Sequence, residues 1–261
     1  MADLPPDIRT DIAHPARVYD YWLGGKDNFA ADRETAEWVL SVTPEMLDAA
    51  RAGRDFLVRT VRFLAQSGIR QFLDIGTGLP TSPNVHEVAQ SVRRDARVVY
   101  VDNDPVVFLH AEALMAKNGL TRVIRADMRD VDDVLAQARD VFDFSEPVAL
   151  LFVASMHHLL DEDDPADVAA RYLAALAPGS YLVLSHATDE FAPERMRENS
   201  KGAAERGATF IPRGKDAILA MFNGLNLLEP GLVLVSYWRP EGGQPGLNAD
   251  RAWSYGGVAQ L

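Results

Sequence analysis

Three short apolar runs each end in a carboxylate: Asp74 in QFLDIG, Asp102 in VVYVDN and Asp127 in RVIRAD. After the first, Gly76-Thr77-Gly78 turns the chain tightly and would let a ligand approach the main chain. A dinucleotide loop, G-x-G-x-x-G, wants a third glycine where Thr81 stands, and Pro80 removes an N–H that could have held a phosphate oxygen. An aspartate at this strand end also repels phosphate, whereas it suits a cationic ammonium. Asp102, followed by Asn103, can accept both ribose hydroxyls of an adenosine. Asp127, followed by Met128, can accept an adenine amino group while the neighbouring backbone serves a ring nitrogen. Each feature also has a plainer use. The G-x-G turn can simply join strand to helix, and Asp102 can cap the next helix, although Asp104 ahead of Pro105 is better placed for that.

A ligand with an ammonium, an adenosine and no phosphate is S-adenosylmethionine (SAM), which also carries a sulfonium. NAD shares the adenosine but needs a phosphate-accepting loop. A second set of residues can move protons. FVASMHHLL offers His157 and His158 after the fourth apolar run, and YLVLSHA ends near His186. Imidazole titrates near neutrality, so His157 and His186 are candidate bases, with His158 behind them; each can equally serve by bonding the backbone. In RVYDYWLGGKDNF, Tyr19, Tyr21 and Trp22 crowd ahead of Gly24-Gly25 and the polar Lys26-Asp27-Asn28. Folded over the strand ends, this segment would close the site against water, with Gly25 as hinge, Asn28 alongside and Tyr19 as a further catalytic candidate. Alternatively its aromatics anchor a helix to the core. DEDDP at 161–165 reads as acids at a helix N-terminus with Pro165 in the first turn, and no metal is expected there.

These residues need a scaffold that brings strand ends together. QFLDIG, RVVYVDN, RVIRAD, VALLFVAS and YLVLSHA are continuous apolar runs, separated by helical stretches at 83–93, 105–118, 131–139 and 165–176. Such alternation predicts a doubly wound α/β fold with buried parallel strands. Ser82-Pro83 supplies a helix start, Thr43-Pro44 another, and Gly68 a stop. DEFAPERMRENSKGAAERGATFIPR suits a helix and loop over the site, and KDAILAMFNG a further helix. GLVLVSYWRP and WSYGGVAQL are two closing strands, most easily antiparallel. The expected architecture is a mostly parallel, seven-stranded Rossmann-like sheet (68–261) with a terminal antiparallel hairpin and an N-terminal helical extension or lid (1–67).

Composition narrows the function classes. At 261 residues, 48% hydrophobic and 25% charged, the chain suits one large domain. It has no cysteine, which excludes disulfides, thiolate metal sites and a cysteine nucleophile. The net charge of −12 argues against nucleic acid as a partner. No secretory pattern is visible at the start, and no apolar run reaches the roughly 18 residues of a membrane span, so a cytoplasmic protein with no membrane partner is expected. Oligomeric state is not legible.

LDIGTG, VDNDP and ADMRD on successive strands make the chain resemble class I SAM-dependent methyltransferases. More narrowly it is similar to an actinobacterial branch, through ARVYDYWLGGKDNFAADR (16–33), FLDIGTGLPTSPNVHEVAQ (72–90), DEDDPADVAARYLAALAPGSYLVLSHAT (161–188) and GLVLVSYWRP (231–240). Leu160 stands where that branch would carry proline, which alters a loop. The resemblance implies that Asp74, Gly76, Thr77 and Gly78 serve the methionine part of SAM, Asp102 and Asn103 the ribose, and Asp127 and Met128 the adenine. It places Ala154 and Ser155 beside the sulfonium, and it favours the lid reading of the N-terminal segment. The implied activity is methyl transfer to oxygen or nitrogen, leaving S-adenosylhomocysteine. ASMHH replaces the Asn/Asp-Pro-Pro-aromatic motif used for amino groups of bases or glutamine, which points to a small-molecule acceptor. A SAM-binding sensor without transferase activity is the rival reading, and an NAD-dependent oxidoreductase a minor one. An enzyme needs an acceptor chamber lined by Tyr19, His157 or His186; a sensor can have that space filled.

Overall fold

The computed structural model describes residues 8–115 and 119–261; the last three residues of the helix expected at 105–118 and the first seven of the extension lie outside them. Five parallel strands form where the apolar runs stand: β1 (Gln71–Ile75), β2 (Arg97–Asp102), β3 (Thr121–Arg125), β4 (Val148–Val153) and β5 (Tyr181–Ala187). Alternate side chains enter opposite cores, which is why the runs are continuously apolar. Leu73, Ile75, Leu150 and Phe152 face the core covered by α6 (Val131–Ala138), α7 (Pro165–Leu173) and α9 (Lys215–Ala220). Phe72, Val98, Leu151 and Val183 face the one covered by α3 (Glu45–Gln66) and α4 (Val85–Val92). α5 (Pro105–Met115) joins β2 to β3.

The sheet has eight strands among the described residues, in the order β3-β2-β1-β4-β5-β8-β6, with β7 also on β8. β8 (Ser254–Gln260) runs antiparallel to β5, as do β6 (Asn226–Leu227) and β7 (Val233–Leu234) to β8. This corrects the expected count of seven. GLVLVSYWRP was expected as one strand but pairs only at Val233–Leu234, then tightens into a 3₁₀ turn at Val235–Tyr237. Packing overrides its β-propensity. Trp238 is fully buried and meets Phe56 and Phe63 edge-on at 5.6 and 5.8 Å, while Arg59 of α3 donates to the carbonyls of Val235 (2.7 Å) and Trp238 (3.2 Å).

Strand order reverses between β1 and β4, so the helices after them leave on opposite sides and a crevice opens at the strands' C-terminal ends. The helix after β1 starts at Val85, two residues beyond the expected Pro83, because Asn84 N–H donates to the Glu87 carboxylate at 2.6 Å and closes the helix there. Over the crevice lie α1 (Pro15–Trp22), α2 (Ala30–Val42) and α8 (Pro193–Glu205). α3 divides along its length. Phe56, Leu57, Val61 and Leu64 belong to the sheet's core, whereas Met46, Ala49, Ala50 and Gly53 face the space under α1 and α2.

Candidate active site

A cleft follows the ends of β1 to β4, and eight of the ten residues expected to bind the cofactor line it: Gly76, Gly78, Asp102, Asn103, Asp127, Met128, Ala154 and Ser155. Gly76 has φ +72°, and a Cβ there would lie 2.5 Å from the Ser155 Cβ, so both conformation and space demand glycine. Asp102 is buried; its carboxylate accepts from Gly78 N–H at 2.9 Å and Asp104 N–H at 3.0 Å. Burial raises its pKa, with His14 and the two N–H groups opposing. Asp127 is chelated by Arg129 (2.7 and 2.9 Å), whose hydrogen bonds hold its carboxyl below the usual range. The Ser155 hydroxyl is buried without a protein partner. Asp74 and Thr77 do not line the cleft. Asp74 lies buried behind the loop, accepting from the Thr77 hydroxyl at 2.8 Å, and burial pushes its carboxyl up to about 6.

The start of α1 closes one side of this cleft through His14, Pro15 and Ala16. His14 Nδ1 lies 3.0 Å from the Asp104 carboxylate. Burial alone would lower its pKa, but the hydrogen bond and charge of Asp104 raise it. Arg17, 4% exposed, puts Nε 3.2 Å from Asp104 and 3.6 Å from Asp32 and donates to the carbonyls of Arg9 and Ile12. A buried cation therefore ties α1 and α2 to the end of β2.

Of the predicted lid residues, Tyr19 and Trp22 line a second cavity; Tyr21, Gly25 and Asn28 line neither. Tyr21 reaches outward to Glu37 (2.9 Å). Gly25 and Asn28 belong to a turn wound on the buried Asp20, which accepts from Asp27 N–H (3.0 Å) and the Asn28 amide (2.8 Å). A Cβ on Gly25 would fall 1.9 Å from an Asp20 oxygen, so this glycine is there for packing.

The second cavity is apolar and shares Pro15, Ala154, His158, Ala208 and Thr209 with the first. Its walls come from α1 (Val18, Tyr19, Trp22), α2 (Thr35, Val39), the first half of α3, and α8 with its following loop (Asn199, Ala203, Phe210). No Asp, Glu, Lys or Arg lines it among the described residues. Tyr19 is fixed by donating to the Ala50 carbonyl at 2.7 Å, and burial pushes its phenol up to about 12. Ala154, at the shared wall, has a left-handed backbone (φ +58°), with its N–H donating to the Ser185 hydroxyl at 3.0 Å.

Three histidines gather beneath this wall, His157 lying with ring centroids 4.4 Å from His158 and 5.5 Å from His186. Their partners fix their tautomers. His158 Nδ1 lies 2.6 Å from the Thr209 carbonyl and must donate, which leaves Nε2 with its lone pair. His157 Nδ1 accepts from Ala187 N–H at 3.4 Å, so Nε2 carries the proton. His186 uses both nitrogens: Nδ1 donates to the Ala187 carbonyl (2.8 Å) and Nε2 accepts from Arg213 (3.0 Å). Arg213 is itself held by Asp161 at 2.7 Å. His186 is fully buried and lines neither cavity. Burial lowers all three pKa values, His158 to about 4, His186 to about 3, and His157 well below the usual range.

Sequence reasoning ranked His157 and His186 above His158, yet His158 alone of the three borders both cavities with an uncommitted lone pair. Asn199 and Thr209 were not singled out. Three of the four acids of DEDDP are committed locally: Asp161 to Arg213, Asp163 to Arg129 (3.0 Å), and Asp164 to the N-terminus of α7.

The model of a family described as S-adenosyl methyltransferase matches residues 1–261. A DUF574 family protein from Streptomyces avermitilis is 43% identical, with a TM-score of 0.91 over 97% of this chain and 99% of that one. A candidate methyltransferase from Thermobifida fusca is 40% identical, also with a TM-score of 0.91, over 100% and 99%. The N-methyltransferase NodS from Bradyrhizobium japonicum, solved with S-adenosylhomocysteine, shares the fold at 15% identity and a TM-score of 0.50, over 94% and 98%. No curated protein matches the chain.

Proposed function

This chain belongs to the S-adenosyl methyltransferase family and takes S-adenosylmethionine as its cofactor, and we propose that it methylates a small molecule, at oxygen or nitrogen, held in the apolar cavity. The observation that carries this reading is the shared wall: the polar cleft and the apolar chamber meet at Ala154 and His158. A sensor that only bound SAM would have no use for an open chamber there. The two relatives at 40% identity or more also support the narrower likeness to the branch carrying the YDYWLGGKDNF segment.

The residues of the cleft fit the cofactor. Gly76 brings its main chain up against Ser155 at the cleft wall, and the buried Ser155 hydroxyl there lacks a protein partner. Asp102 would hold the ribose with Asn103, and Asp127 and Met128 would hold the adenine. Gly76, Gly78, Ala154 and Ser155 would border the methionine part. Asp74 acts from behind the loop through Thr77, as a negative potential for an ammonium. When bound, the cofactor supplies an electrophilic methyl group.

The chain supplies position and a proton acceptor. Tyr19, Trp22, Val39, Met46 and Phe210 exclude water and align the acceptor, which is the larger part of catalysis for a displacement of this kind. As a hydroxyl oxygen forms its new bond to carbon, its proton becomes strongly acidic, whereas a neutral amine attacks through its lone pair and needs no base in that step. A neutral imidazole with a pKa of about 4 can take the hydroxyl proton, and Nε2 of His158 is the lone pair at the boundary. His157 presents Nε2–H as a donor, and His186 positions Arg213. Residues 1–67 serve as the helical extension to the 68–261 body, with α1 and α2 as cover and α3 as their footing.

The test is calorimetric titration of wild type and Asp102→Asn with SAM, S-adenosylhomocysteine and NAD, followed by label transfer from methyl-labelled SAM to neutral small molecules. Saturable binding of the SAM pair, at least about ten-fold weaker in the variant, is expected from loss of one charged ribose contact. Absence of SAM binding to folded protein would refute the reading.

A further inference from the structure

Asn199 is fully buried, yet both its amide nitrogen and its carbonyl oxygen lack a hydrogen-bond partner. Buried carboxamides are ordinarily satisfied, so such a group points to a partner outside the chain. It lies on α8 with Ala203, and both line the apolar chamber. Gly202, on the same face, brings α8 hard against α2: a Cβ there would sit 1.9 Å from the Trp38 ring. The helix is thus held with the buried Asn199 at the cavity wall. The walls carry no charged side chain among the described residues, so a charged acceptor would lose its hydration with no counter-ion in return.

We infer that the acceptor is a neutral, mainly apolar molecule carrying an adjacent hydrogen-bond donor and acceptor, as in a lactam, carboxamide or hydroxy-carbonyl, and that Asn199 selects it by pairing with both. This rests on the methyltransferase reading above. The carboxamide offers one N–H and one C=O side by side, so the matching group on the acceptor is the same pair reversed. Apolar walls supply the remaining contact, and rejection of molecules lacking the pair follows from leaving Asn199 unmet.

The test uses 2-quinolone, which carries a cis-lactam, and quinoline, which has the same bicycle without it. Both are titrated calorimetrically into protein saturated with S-adenosylhomocysteine, using wild type, Asn199→Leu and Asn199→Ser. Wild type should prefer the quinolone by about ten-fold or more, and Asn199→Leu should abolish that preference while its affinity for S-adenosylhomocysteine is unchanged. Its thermal midpoint should hold or rise, because an unpaired buried amide has been removed. Equal affinities in wild type, or a preference that survives in the leucine variant, would overturn the inference. So would a lower midpoint in both variants, which would show a structural role. Failure of wild type to bind S-adenosylhomocysteine would instead strike the methyltransferase reading itself.

Discussion

Acidification should destabilise this protein early, because three imidazoles are buried in the neutral form. In the unfolded chain each takes a proton near pH 6.5, whereas burial holds His158 at about 4, His186 at about 3 and His157 well below its usual range. A histidine with a depressed folded pKa contributes stability above its unfolded pKa and loses it as pH falls towards the folded value. Between pH 7 and 5 His158 and His186 cost about 2 kcal/mol each, about 4 in all, and His157 adds a loss of the same sign. Asp74 acts in the opposite sense. Its folded pKa of about 6 lies above the unfolded 3.8, so the native state gains a proton first and recovers about 1.4 kcal/mol over the same interval. Asp102, also raised by burial, recovers a little more. From His158, His186 and Asp74 together the net loss is about 2–3 kcal/mol, a large fraction of an ordinary domain's stability. Urea unfolding followed by tryptophan fluorescence at pH 7, 6 and 5 measures it. His158→Gln should flatten the dependence by about 2 kcal/mol and Asp74→Asn should steepen it by about 1.4 kcal/mol. A change below about 1 kcal/mol between pH 7 and 5 would refute the neutral burial of the cluster.

Once an acceptor is in hand, His158→Gln should lower kcat by about 10²- to 10⁴-fold with little change in KM, and His157→Gln should act mainly on KM, since one offers a lone pair and the other a donor. Steady-state kinetics separate these outcomes, and equal loss of kcat in both would refute the tautomer assignment. Gly202→Ala should lower stability by about 1–3 kcal/mol, because the new methyl meets the Trp38 ring and α8 must move. Denaturant titration checks the cost, and an unchanged midpoint would contradict the close packing of α8 on α2.

The five parallel strands were legible because strands buried on both faces read as unbroken apolar runs, and the cleft followed because its residues stand at the ends of those runs. The last strands were less so. GLVLVSYWRP has the composition of a strand, but Trp238 and Arg59, 179 residues apart in the chain, draw it onto α3. The same limit governs the histidines. Which of them keeps a free lone pair depends on carbonyls at Thr209 and Ala187, and no local pattern announces those partners. Asn199 was hidden by its neighbours, since RMRENSKGAAE reads as a solvated helix. Only packing through Gly202 turns one polar side chain inward. Tyr21, Gly25 and Asn28 attracted notice for their chemistry, whereas Tyr21 reaches outward to Glu37 and the other two sit in a turn built around Asp20.

The divided helix α3 has an evolutionary consequence. Its small residues Ala49, Ala50 and Gly53, with Met46, border the chamber, while Phe56, Leu57, Val61 and Leu64 further along are locked into the sheet. Under the proposed function, acceptor choice and foundation are therefore written on successive turns of a single rod. Descendants can trade one acceptor for another by editing the first turns, and the sheet that carries the cofactor never registers the change.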